Sequence, residues 1–332
     1  MTVPRTPAGR VLPVLLGLLL ATGAAGAWWL DGARPVPPDE IARADAWLRT
    51  EAVLDGPPLG SAPAAAREAL RADLARQLEA LGPAPGERER AAVREQRPSP
   101  ADAGEPGPSA SAALRVSAAA LAEDALTAED PALARVLAAA AASRATSARQ
   151  LDGPPGPDGA ALCDAGSDAA PGADAAPGAD AAPGAETAPG GTTAPGTVLW
   201  SALDRTGYLL EALAARAGAA PTGGVPAELL EQGREDVEEL LEVPAARQVL
   251  ETDPGLPAGA YVLPDDATEH PGRAADTAAR DVQESAAHVL GRGDAGARCW
   301  AVVALERATG LRAALTGEVD ALPGVVREDT TR

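Results

Sequence analysis

The chain contains no Phe, no Lys and no Asn, and only one Ile (Ile41), one Met, two Tyr, two His and two Cys. All 28 basic residues are therefore Arg. Phe, Lys, Asn and Ile share AT-rich codons, so their scarcity reflects a GC-rich genome and excludes little about function. The scarcity of His and Cys excludes more, because two of each leave almost no material for a zinc site or an iron–sulfur cluster. With 48 acidic residues against 28 basic ones, the net charge of −20 provides no clustered basic face for nucleic acid. Catalytic signatures are missing too. There is no Gly-x-Ser-x-Gly, no Walker-type phosphate loop, and no Gly-x-Gly-x-x-Gly following a strand pattern. Nothing local positions His270 or His288 for a Ser-His-Asp or Cys-His site. What is abundant is alanine and glycine, which explains a mass of only 33.1 kDa for 332 residues.

The first pattern along the chain is an uncharged run from Val11 to Leu30, preceded by Arg5 and Arg10 and followed by Asp31. At ~1.5 Å per residue it matches a ~30 Å hydrocarbon core. The preceding arginines place residues 1–10 in the cytoplasm and the bulk of the chain outside it, with Trp28 and Trp29 at the interface. A cleaved signal peptide is the competing reading. Its apolar core would be Val11 to Leu20, and cleavage near Ala27 would release a secreted protein. Either reading exports the remainder.

Residues 38–152 read as an Ala-rich antiparallel bundle. Asp39 is expected to cap a helix carrying Ile41, Ala44, Trp47 and Leu48, and a second helix puts Leu70, Leu74, Leu78 and Leu81 in one stripe before Gly82-Pro83. After a short charged helix, Glu87 to Gln96, comes a loop from Pro98 to Pro108. A further helix from Ser109 carries Leu114, Val116 and Leu121, and the last begins at Asp130-Pro131. Residues 153–196 change character, with prolines at 171, 177, 183, 189 and 195 marking a six-residue repeat. Such a segment has too little apolar surface to offset its ordering entropy, and reads as a disordered linker.

Residues 197–318 return to helical patterning, followed by a tail, 319–332. Helices are expected over 197–217, 226–242 (with Pro244 as a break), 273–290, and from an Asp294 cap to Gly317. The overall expectation is an all-α protein: a transmembrane helix, then two four-helix bundles joined by the linker. The aromatic-Leu-Pro element Tyr261-Val262-Leu263-Pro264, the Ala-rich third helix, the final helix CWAVVALERATGLRAAL and the closing Leu322-Pro323-Gly324 resemble the actinobacterial ferritin-like family called domain of unknown function 4439. That resemblance covers roughly 197–324 and implies a ferritin-like bundle on an exported protein, in a family without a settled activity.

Metal-binding bundles need Glu-x-x-His on two helices, since positions i and i+3 project side by side into the core. The chain has none, and Leu203-Asp204-Arg205-Thr206 puts an arginine where the resembled family often carries Glu-His. The nearest remnant is Glu284 with His288, which Glu211, Glu238 or Glu306 could join. These charges are expected to be solvated helix faces, and no cofactor is assigned. Cys163 and Cys299 are candidates for a disulfide, since export places them in an oxidising setting. Trp200, Tyr208 and Trp300 read first as core, and otherwise as the walls of a small-molecule pocket. The expected function is a non-catalytic scaffold or interaction module for an envelope partner. The alternative is a degenerate metal-binding ferritin-like protein or oxidoreductase.

Overall fold

The computed structural model describes residues 35–55, 63–97, 109–152, 194–219, 225–252 and 261–325. The expected anchor 11–30, Cys163 and nearly all of 153–196 lie outside them. Among the described residues there are ten helices and no strand, and no helix is long and apolar enough to cross a membrane. The helices are α1 (Pro38–Asp55), α2 (Ala64–Leu81), α3 (Glu87–Gln96), α4 (Ala110–Thr127) and α5 (Pro131–Asp152), then α6 (Pro195–Ala219), α7 (Ala227–Glu242), α8 (Pro244–Thr252), α9 (Pro271–Leu290) and α10 (Ala295–Thr316).

Local chemistry accounts for most boundaries. Asp294 Oδ1 accepts from Ala297 N at 2.8 Å, Ser109 Oγ from Ala112 N at 3.2 Å, and Asp130 Oδ1 from Ala132 N at 2.8 Å, each satisfying an amide that its helix leaves free. Gly317, at φ 77°, closes α10 in the left-handed conformation. Pro244 separates α7 from α8. One expectation fails. Asp39 does not cap α1, because the helix already begins at Pro38. Its carboxylate instead accepts from Glu129 N (3.0 Å) and Asp130 N (2.8 Å), bracing the start of α5. Val116 is 52 % exposed although Leu114 and Leu121 are fully buried. Leu114 and Leu121, seven residues apart, share a face, and Val116 falls on the opposite one.

The centre of the molecule is α5. Residues 137–144 are all buried, and Ala148 is too. A helix buried all round must be covered by several neighbours, and α4, α10 and α9 all pack against α5. One hydrophobic cluster consequently runs from Ala42, Leu121 and Leu137 to Leu210, Val282 and Trp300. Polar ties cross the same seam. Arg149 meets Glu306 at 3.0 Å, and Arg298 Nη1 donates to Ala128 O at 2.8 Å.

Inside the first helices lies a charge with no carboxylate partner among the described residues. Arg144 is fully buried; its Nε donates to Gln77 Oε1 at 2.9 Å, Nη1 to Ser117 Oγ and Nη2 to Thr50 Oγ1. All three acceptors are neutral. Burial, with the like charge of Arg49 behind it, pushes the guanidinium down to about 9. Gln77 Nε2 in turn donates to Ser143 Oγ at 3.2 Å and to Ala321 O at 3.0 Å, so the segment after α10 is tied into this network. Arg97 is compensated by comparison: it donates to both Asp124 carboxylate oxygens (2.6 and 2.5 Å) and to Asp45 (2.9 Å).

Candidate functional site

Four helices, α6, α7, α9 and α10, surround the interior in which a bundle metalloprotein would place its ligands. That interior contains a cavity of about 20 Å³, lined mostly by Leu203, Val237, Leu240, Ala279, Val282, Ala304, Ala308 and Leu311. This is room for roughly one water. The polar residues at it are already engaged. Thr206 Oγ1 donates to Ala202 O at 2.7 Å, and Arg307 pairs with Asp236 at 3.1 Å.

Glu284 and His288 lie elsewhere on α9. Glu284 is exposed, beside a hollow of about 290 Å³ that Arg76, Arg280, Arg312 and Asp320 also line. Arg292 Nη1 sits 2.7 Å from His288 Nδ1 and 3.0 Å from Nε2. Burial, Arg292 and Arg135, in that order, hold the imidazole below its ordinary value. Among the described residues no group of three His, Cys, Asp or Glu side chains is placed to hold a metal ion. Of the other carboxylates considered, Glu306 meets Arg149 and Glu238 meets Arg234, while Glu211 is exposed. Cys299 is disulfide-bonded. The only other cysteine in the sequence, Cys163, is outside the described residues.

The three aromatics separate in the same way. Trp200 and Trp300 are 4 % and 2 % exposed and belong to the core, where Trp300 Nε1 donates to Leu240 O at 3.0 Å. Tyr208 is 43 % exposed and lines a cleft of about 440 Å³ between α6, the segment 261–270 and the first half of α9. That volume lies in the range of small-ligand sites. The Tyr208 and Tyr261 rings, the only two tyrosines in the sequence, stand 5.8 Å apart at 45°. Tyr261 Oη donates to Asp204 Oδ2 at 2.7 Å, which fixes its ring as a wall. Leu209, Leu263 and Pro264 add apolar surface, and Val262 at the cleft is 93 % exposed. Two arginines complete the rim, each only loosely paired: Arg205 with Asp281 at 3.5 Å and Arg273 with Asp266 at 3.9 Å.

Tyr208 was legible as a candidate wall. Tyr261 is visible in the sequence only as part of the aromatic-Leu-Pro element, and no sequence pattern marks Arg205, Arg273, Asp266 and Asp281 as rim residues. For Tyr261 the one further signal is that both tyrosines of a Tyr-poor chain fall in the same half.

The cleft has a titration signature. Burial first, then the Asp204 hydrogen bond and its charge, pushes the Tyr261 phenol up to about 12 from an ordinary 10.0. A folded value above the unfolded one means that the associated stability is fully present below pH 10 and is lost as the pH rises through about 12. In an alkaline titration followed by tyrosinate absorbance, one tyrosine should ionise near pH 12, and Tyr261→Phe should remove that step. Retention of the late step in Tyr261→Phe would refute the assignment. No family model, no curated protein and no solved structure matches the chain.

Proposed function

We propose that the chain is a non-catalytic binding module of the cell envelope, held by residues 11–30 as a membrane anchor with the bulk of the chain extracytoplasmic, and that its ligand sits in the tyrosine cleft. The observation that carries this reading is the cleft itself: about 440 Å³, walled by both tyrosines and rimmed by two arginines whose carboxylate partners stand 3.5 and 3.9 Å away. Such loose, exposed pairs can turn to a ligand at little cost. Residues 197–318 are read as a ferritin-like bundle in which packing and the Arg307–Asp236 pair occupy the interior. The disulfide at Cys299, for which Cys163 is the only partner within the chain, supports export. Two free thiols in the denatured, unreduced protein would remove that support.

The test of the site uses the full chain in the producing cell. With Val262 replaced by the photo-cross-linker p-benzoylphenylalanine, irradiation should give a discrete adduct that Tyr208→Ala suppresses. The same probe in place of Val116, exposed on α4, should give none. Equal adducts from both positions, or adducts indifferent to Tyr208→Ala, would overturn the assignment of the cleft. Protease added outside the cell should digest the chain, and complete protection would overturn the extracytoplasmic placement.

A further inference from the structure

The rim of the tyrosine cleft carries information about what fits it. Arg205 and Arg273 face Asp281 and Asp266, so the exposed rim is balanced in charge. A strongly anionic ligand would meet two carboxylates, and a cationic one two guanidinium groups. The partner that uses every rim group is neutral and offers a donor and an acceptor at each polar position, which describes a hydroxyl. Thr277, also at the cleft, extends the same mixed surface.

The floor makes a second, independent demand. Tyr208 leaves 43 % of its surface open, and Tyr261 stands beside it at 5.8 Å and 45°. An open aromatic ring presents a negative face, on which the weakly positive C–H bonds of a saturated ring pack well. A molecule with hydroxyls at its edge and C–H bonds on its face is a pyranose. Because Tyr261 is already fixed by its 2.7 Å hydrogen bond to Asp204, this wall needs little ordering on binding.

From these two features we infer that the cleft binds a neutral polysaccharide strand, by stacking a pyranose on Tyr208 and hydrogen-bonding its hydroxyls to Arg205, Arg273, Asp266 and Asp281. The inference rests on the reading of the cleft as the ligand site. A proline-rich peptide fits less well. Proline has no backbone N–H, so a proline-rich strand has no donor for the rim carboxylates Asp266 and Asp281.

The experiment is calorimetric titration of the full chain, in a detergent without a sugar headgroup, with cellohexaose, chitohexaose and octaproline. Saturable binding of at least one hexaose is expected, weakened about tenfold or more by Tyr208→Ala and by Arg273→Ala, and unchanged by Val116→Ser. Absence of binding to both hexaoses overturns the inference, as does binding that Tyr208→Ala leaves intact. Binding of octaproline with loss in Tyr208→Ala, and no response to either sugar, assigns the cleft to a peptide and also overturns it. The photo-cross-linking result keeps the two levels apart. A Tyr208-dependent adduct at position 262 without hexaose binding removes the polysaccharide and leaves the binding module, whereas loss of both removes both.

Discussion

Gln77→Leu should destabilise the protein more than removal of the buried charge that Gln77 serves. The substitution deletes the acceptor of Arg144 Nε at 2.9 Å and the two bonds that the Gln77 amide donates to Ser143 Oγ and Ala321 O. A buried charged group that loses an acceptor costs more than a neutral one, and such losses together amount to about 3 kcal/mol. Arg144→Met removes the charge as well as its bonds. The guanidinium already sits in a fold that disfavours its charged state, pushed down to about 9 by burial. The guanidinium stays charged, so this desolvation penalty is present at neutral pH. The methionine variant therefore gains by losing a desolvated charge and loses by leaving two hydroxyls and an amide oxygen short of a donor, for a net change of about 1 kcal/mol. In urea unfolding followed by circular dichroism, Gln77→Leu should show the larger drop in midpoint, and the double variant should be more stable than Gln77→Leu alone. If the double variant instead shows the sum of the two single losses, Arg144 and Gln77 are not coupled in the way described.

The second large effect is expected at Gly324. This residue has φ +73°, which an alanine would adopt only with strain, and a Cβ built there would lie 2.5 Å from Gln283 O and 3.1 Å from Ala287 Cβ. The first is a backbone atom in the middle of α9 and cannot rotate away. Relief would require lifting the segment 321–325, and with it the Ala321 carbonyl that accepts from Gln77. Strain and displacement together should cost about 3 kcal/mol in Gly324→Ala. Gly317 provides the internal comparison. Its φ is +77°, but a Cβ there meets nothing within 4 Å, so Gly317→Ala should show only the left-handed penalty of about 1 kcal/mol. Equal losses in the two variants would mean that the close approach of Gly324 to α9 does not contribute.

Most helix boundaries were legible because they are written in residues with one local meaning. Asp130 followed by proline, Asp294 three residues before Ala297, and Gly317 each act on backbone groups within a turn, so a sequence reading can find them. Asp39 shows where this stops. It has the right chemistry for a cap, but a start of α1 two residues earlier sends its carboxylate to the amides at positions 129 and 130, some ninety residues away in sequence. The centrality of α5 was hidden for another reason. Periodicity marks a helix with one wet face, whereas the run from Ala138 to Ala142 is buried on all sides and has no contrast between faces to read. The cleft was half legible. Tyr208 stood out as an aromatic near helix spacing, but its partners come from a loop and from α9. Only the fold brings Arg273 and Asp266 alongside Arg205 and Asp281.

The position of α5 bears on how the Pro-Gly repeats can vary. Among the described residues, the helices before residue 153 and those after residue 193 meet through the faces of α5, α9 and α10. A change in the length of the connection between them alters the loop-closure cost only by about 0.6 kcal/mol for each doubling. Hexapeptide units can thus be gained or lost with almost no thermodynamic consequence, and repeat number is free to drift while the helices on either side keep their register.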